Sequence, residues 1–183
     1  MTPGQLLAIM PRCPAERADP GAAALTAALV EAECSTVTRA AAFVAQIAWE
    51  TGSLRFLIEQ DGGLRYEGRH DLGNIEPGDG PRFRGRGLIQ ITGRRNYQRY
   101  GERLGLDLVA QPERAAELSI AGRVAALYWL DHACGALADA RDFRGITEEI
   151  NGAASNGPPS YHDRREGLYR TALEVLGITA LVV

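Results

Sequence analysis

Residues 37–52 read VTRAAAFVAQIAWETG, and residues 53–59 continue SLRFLIE. Val37, Ala41, Val44 and Ala48 recur at helical spacing, with Phe43 and Ile47 widening the stripe. The stretch therefore reads as an amphipathic helix laid on a core. Ser35 is its expected N-cap. Gly52 is its expected stop, because glycine accepts the left-handed conformation there. Glu50 then falls in the last turn, facing the negative end of the helix dipole, a placement that disfavours ionisation and suits a proton donor. Nine positions on stands Glu59. On one unbroken helix, at about 100° per residue, the two carboxylates would point to opposite sides. A break at Gly52 lets the chain turn back and set Glu59 across a gap from Glu50.

The flanking sequence reads as helical scaffold. Thr2-Pro3 starts a helix through Met10, which Pro11 and Pro14 end. Asp19-Pro20 repeats that start signal, with Ala24, Leu25, Ala28 and Leu29 as the buried stripe. Residues 59–82 carry many glycines, two prolines and several Asp or Asn, and read as one long loop of functional length. Leu88-Ile89-Gln90-Ile91 reads as a short strand. Thr92 would cap a helix to Leu104, with Gly105 as its stop, and further helices are expected over 119–132, 143–150 and 160–176, the last ended by Gly177. The expected fold is mainly α, a single domain over 1–183, with a small β element beside the cleft.

At 183 residues the chain suits one packed domain. A hydrophobic share of 45% and a charged share of 23% are globular values, which excludes wholesale disorder. Net charge is -3, and all 20 basic residues are Arg. The acidic balance argues against a nucleic-acid binder, despite Arg82, Arg84, Arg86, Arg94, Arg95 and Arg99, which read as a solvated basic rim. Cys13, Cys34 and Cys134 are odd in number and widely spaced, and read as buried free thiols. His70, His132 and His162 have no ligand spacing, so no metal is expected, nor any cofactor. Gly85-Arg86-Gly87 lacks the third glycine of a dinucleotide site. No signal peptide is seen and no apolar run is long enough to span a bilayer, so the expectation is a monomer, cytoplasmic until released to a cell wall, with no membrane partner.

A carboxylate pair can hydrolyse a glycoside by inversion: an acid protonates the leaving oxygen while a base about 6.5–9.5 Å away activates water. The pair alone is weak, since Glu67, Asp71, Glu76 and Asp79 lie in the same loop. The second cluster strengthens it. Gly85 and Gly87 would let a ligand approach the backbone. Gln90, Thr92 and Asn96 supply neutral donors and acceptors for sugar hydroxyl and acetamido groups. Tyr66, Phe83 and Tyr97 are candidate stacking surfaces.

These motifs together resemble glycoside hydrolase family 19, the chitinases and phage endolysins. The resemblance rests on Ala42-Phe43-Val44-Ala45-Gln46 leading to Glu50-Thr51-Gly52, on Glu59-Gln60, and on Tyr66-Glu67-Gly68-Arg69 to Asp71-Leu72-Gly73-Asn74 with Pro77-Gly78-Asp79-Gly80. It continues through Phe83-Arg84-Gly85-Arg86-Gly87-Leu88-Ile89-Gln90-Ile91-Thr92, Asn96-Tyr97, Glu149-Ile150-Asn151-Gly152 and Arg165-Glu166-Gly167-Leu168-Tyr169. It implies a lysozyme-like, chitinase-like α domain with Glu50 as general acid and Glu59 as general base. Thr92 would hold the attacking water, and Gln90, Asn96 and Asn151 would line sugar subsites with Tyr66. Arg165 would sit near the carboxylates, acting more on the base than on the acid. Trp49 stands where the family usually has His; an indole there either stacks on substrate or fills core, and core is the preferred reading.

The resemblance implies cleavage of β-1,4 bonds in an N-acetylated amino-sugar polymer. Peptidoglycan is preferred, because the motif variants look phage-like, and chitin is the alternative. A wall-binding module without catalysis is the reading from another class, and the presence of both carboxylates argues against it.

Overall fold

The computed structural model describes residues 1–151 and 160–180; Gly152, quoted above in one motif, lies outside the described residues. Among these the chain forms α1 (Pro3–Ile9), α2 (Ala15–Glu31), α3 (Val37–Glu50), α4 (Asp79–Arg82), α5 (Arg94–Leu104), α6 (Leu118–Asp131), α7 (Cys134–Asp139), α8 (Phe143–Asn151) and α9 (Ser160–Ala180). Single 3-10 turns occur at Leu64–Tyr66, His70–Leu72 and Pro112–Ala116. The fold is mainly α, as expected. α3 is its centre, packed chiefly against α9 and also touching α7 and α2. Every residue from Ala41 to Ala48 is buried, Gln46 included. A helix covered all round is a core helix, so the stripe read from the sequence understated its burial.

Several boundaries differ from expectation. α2 begins at Ala15 and carries Pro20 inside it. An Asp-Pro pair starts a helix in isolation, but burial of Ala18, Gly21 and Ala22 extends this one backward past it, leaving the Glu16 carbonyl without a proline N–H to accept. Thr36, not Ser35, caps α3, its hydroxyl accepting the Arg39 N–H at 3.2 Å. α9 runs through Gly177 instead of stopping there. α5 has Gly93 as N-cap, and the Thr92 hydroxyl donates to the Gln90 carbonyl at 3.0 Å instead of capping. Gly105 does end α5, at φ +68°.

Leu88–Ile91 is not a strand. Arg86 and Ile91 exchange both backbone hydrogen bonds, at 3.2 and 3.0 Å, around a tight turn. Gly87 and Gln90 take left-handed backbone there, at φ +84° and +53°, which an extended strand cannot contain. Arg86 also bridges Ile58, and these two isolated bridges are the β content among the described residues.

Two buried clusters flank this turn. The larger gathers α1, α2, α3 and parts of α6–α9 around Leu25, Phe43, Ile47 and Trp129. The smaller holds Phe83, Ile91, Tyr97, Tyr100, Leu108 and Val124, and Ile89 packs against both. Phe83 and Tyr97 are fully buried, which removes them as sugar-stacking surfaces. The three cysteines are free and buried, and burial pushes the Cys34 and Cys134 thiols up to about 12.

The loop over 59–82 is held by its own polar contacts. Asn74 is fully buried, donating to the Tyr66 carbonyl and accepting the Arg94 N–H. Asp79, 1% exposed, receives Arg94 through two hydrogen bonds, at 2.9 and 2.6 Å, and two backbone N–H groups. The Arg94 hydrogen bonds hold the Asp79 carboxyl below its ordinary value. A depressed folded value means stability that is present above the unfolded Asp pKa of about 3.9 and lost as pH falls through the lower folded value. Asp79→Asn is accordingly expected to cost about 3 kcal/mol at pH 7, and less at pH 2. Urea unfolding at both pH values checks it; an equal deficit at the two would exclude the ion pair as its source.

Candidate active site

α3 ends in a Schellman arrangement: Ser53 N–H donates to the Ala48 carbonyl at 2.8 Å and Gly52 N–H to the Trp49 carbonyl at 3.1 Å. Gly52 has φ +55°, so its role as the stop holds. Glu50 is the last residue of the helix and keeps 19% of its side chain exposed. Its Oε1 lies 2.6 Å from Nη2 of Arg165, a residue only 2% exposed. The contact is ionic without hydrogen-bond alignment: Glu50 Oε1 and Arg165 Nε are both buried with no hydrogen-bond partner. Arg165 is fixed by other acceptors. Nη1 donates to Gln46 Oε1, one helical turn before Glu50, and Nη2 to Asn151 Oδ1 at 2.8 Å. Gln46 in turn donates to the Thr147 hydroxyl at 2.8 Å. Burial lowers the Arg165 pKa, opposed by the Glu50 charge.

This corrects two expectations. Arg165 stands beside Glu50 rather than Glu59, because α9 packs on α3 and carries its guanidinium to that helix's end. Asn151 is exposed, and its Oδ1 accepts from Arg165. Trp49 is not core either; it is half-buried, with the Arg165 guanidinium 5.4 Å from its ring and Tyr161 at 5.7 Å.

Glu59 stands in a second constellation. Its Oε1 accepts from the Tyr66 hydroxyl at 2.8 Å and from Arg65, and its Oε2 accepts the Gly85 N–H at 2.9 Å. Three donors converging on one side chain suit an acceptor-only carboxylate. The Gly85 carbonyl accepts the Glu59 N–H at 2.9 Å, which locks Glu59 in place. Gly85 matters here by its missing side chain: a Cβ would lie 3.0 Å from Gln90 Oε1 and 3.2 Å from Glu59 Oε2. It makes room for Glu59 and Gln90, whereas the sequence reading assigned the room to a ligand. Gln90 donates to the Gly87 carbonyl at 2.8 Å, and Asn96 donates to the Thr92 carbonyl at 2.8 Å. Glu59, Tyr66, Gln90, Thr92 and Asn96 thus form one contiguous surface. Among the described residues, no hydrogen bond or ion pair joins it to the Glu50–Arg165 set.

Three of the four rival carboxylates are occupied, and the fourth, Glu76, is exposed to solvent. Glu67 accepts the Gly78 and Gly80 N–H groups, Asp71 pairs with Arg69, and Asp79 pairs with Arg94. The arginines proposed as a basic rim are mostly staples: Arg86 is buried against the Tyr97 hydroxyl, Arg99 pairs with Asp131, and Arg82 and Arg95 donate to carbonyls. Arg65 is the site residue that the sequence reading missed. It sits one position before Tyr66, in a loop whose path depends on the left-handed Gly62 and Gly63, so no periodicity marked it.

No family model matches the chain. It is 38% identical over 109 residues to a glycosyl hydrolase family 19 domain-containing protein of Haemophilus influenzae, covering 59% of this chain and 50% of that protein. An endochitinase of Arabidopsis thaliana is 30% identical over 148 residues, 79% of this chain and 55% of the relative. Among solved structures, chitinase C from Streptomyces griseus HUT6037 superposes with a TM-score of 0.77 at 26% identity, covering 96% of this chain and 76% of that one. In sequence and in fold the chain is thus similar to glycoside hydrolase family 19 proteins and chitinases. A bacterial family 19 chitinase matches its fold with TM-score 0.77 over 96% of this chain and 94% of that chain, at 24% identity. The lysozyme-like, chitinase-like α architecture is therefore that of family 19. The chain spans about half the length of the curated relatives it matches.

Proposed function

We propose that the chain is an inverting glycosidase acting on β-1,4-linked N-acetylated amino-sugar polymers, with Glu50 as acid and Glu59 as base. The observation that carries this reading is the separate furnishing of the two carboxylates on a family 19 fold. Glu50 stands at a helix end beside a buried guanidinium, and Glu59 sits under three donors. In the reaction Glu50 delivers a proton to the glycosidic oxygen as the bond to the anomeric carbon breaks. Glu59 takes a proton from water as the water oxygen bonds to that carbon from the opposite face. Glu50 carries its proton when substrate binds; after cleavage it takes up the next proton from solvent and Glu59 releases the one it accepted, which restores both groups. Gln90, Asn96 and Thr92 offer polar groups beside the base, with Thr92 holding the water.

Bacterial peptidoglycan is the preferred substrate, on the phage-like motif variants, which would place the protein's work at a cell wall. Chitin is the second reading, favoured by the endochitinases and chitinases among the similar proteins. One experiment tests both the activity and its stereochemistry. Purified protein is incubated with peptidoglycan and with chitin oligosaccharides, the fragments are weighed by mass spectrometry, and the first product is followed by NMR. The α-anomer is expected first from a β-linked substrate. Initial β-anomer would withdraw Glu59 as water-activating base, and no cleavage of either polymer would withdraw the glycosidase reading.

A further inference from the structure

Between Glu50 and Glu59 the chain makes a turn far more constrained than a connection needs. Gly52, Ser53 and Leu54 are all left-handed, at φ +55°, +68° and +60°. For the two that are not glycine this is an unfavourable conformation, of the kind that persists only where the surroundings hold it. Here they do. The Leu54 N–H donates to the Thr51 hydroxyl at 2.8 Å, and the Leu54 side chain is fully buried. It fills the space left by Gly21, where a Cβ would stand 2.6 Å from it. From α2, Arg17 donates to the carbonyls of Leu54 and Arg55, at 2.5 and 3.1 Å. Phe56 N–H donates to the Thr51 carbonyl at 2.9 Å, and Gln90 reaches the Phe56 carbonyl at 3.5 Å.

The residue this turn presents is an apolar ring left in solvent. Phe56 is 43% exposed and rests against the bare backbone of Gly52, where a Cβ would come within 2.9 Å of the ring. Other exposed apolar residues, such as Val30 and Leu64, sit at a helix end or in a 3-10 turn without such anchoring. The Arg55 guanidinium lies 4.9 Å from the Phe56 centroid. Phe56 is thus tied by its own backbone to the residue after Glu50 and to Gln90, beside Glu59.

We propose that Phe56 is a substrate-binding residue, its exposed ring a rigid platform for one N-acetylated amino-sugar ring, with the Arg55 guanidinium alongside for a hydroxyl or carboxylate of the same unit. The inference rests on the glycosidase reading above and adds the surface that holds the polymer. The apolar C–H face of the sugar covers the ring, and the strained turn keeps that surface in place before substrate arrives, which lowers the ordering cost of binding.

The test measures binding by calorimetry, independently of turnover, using a chitin tetrasaccharide and a peptidoglycan tetrasaccharide carrying its peptides. Phe56→Ala is expected to weaken the tetrasaccharide that the wild type binds about tenfold, with an unchanged melting temperature, and Phe56→Tyr to restore it. On the polymer that the wild type cuts, Phe56→Ala should raise KM by a similar factor while kcat stays within about twofold. The ligand bound by the wild type identifies the source of the sugar. Unchanged affinity in Phe56→Ala, or a wild type that binds neither tetrasaccharide, overturns the platform. A wild type that binds through Phe56 yet cuts neither polymer leaves the platform standing and overturns the glycosidase reading alone.

Discussion

Glu50→Gln is expected to lower turnover about a thousandfold while leaving the fold within about 1 kcal/mol of the parent. The amide keeps the shape of the side chain at the end of α3 but has no acidic proton for a departing sugar oxygen. The variant should remain folded because Arg165 retains Gln46 and Asn151 as acceptors, and the 19% exposure of Glu50 means no sealed cavity is altered. Circular dichroism and initial rates on the accepted polymer, run side by side, separate the two claims. Turnover within about tenfold of the wild type would remove Glu50 from the acid role.

Arg165→Met is expected to have the largest effect on stability, a loss of about 3–5 kcal/mol, together with loss of turnover. Its guanidinium is 2% exposed and serves three side chains: Glu50, Gln46 and Asn151. Methionine fills much of the volume, so the cost comes from the carboxylate and the two amide oxygens left in place without their cation. Arg165→Lys keeps the charge but not the planar fork, and should fall between the wild type and Arg165→Met. Chemical unfolding of the three proteins orders them. If Arg165→Lys were as unstable as Arg165→Met, the charge alone would contribute nothing and the planar hydrogen-bonding fork of the guanidinium would be the explanation.

Much of the site was legible because it depends on local signals. A helix ended by Gly52 sets Glu50 at its tip, whatever the rest of the chain does. The motifs around Glu50, Glu59 and Gly85 to Thr92 together carried the family resemblance on their own residues. What was not legible depends on which helix lies beside which. Nothing near Arg165 in the sequence says that α9 carries it to Glu50 rather than to Glu59. The apolar run Leu88–Ile91 has the composition of a strand, but its shape is set by left-handed backbone at Gly87 and Gln90 and by the Arg86–Ile91 bridge. Phe83 and Tyr97 looked like ligand surfaces because aromatics near glycines serve either purpose. Only the second cluster of buried residues assigns them to packing. Phe56 drew no notice, since a phenylalanine among Leu54, Leu57 and Ile58 looks like interior.

The network around Arg165 also orders events in time. Gln46 and Arg165 are separated by 119 positions, so the contact that fixes the guanidinium beside Glu50 is among the most distant in the chain. At common elongation rates, the ribosome adds that many residues in roughly ten seconds. A nascent chain can therefore bury α1, α2 and α3 against one another while Glu50 still has no cation at its side. The surroundings of Glu50 are completed only when α9 docks, and a chain interrupted before that helix would carry both carboxylates without the Arg165 guanidinium.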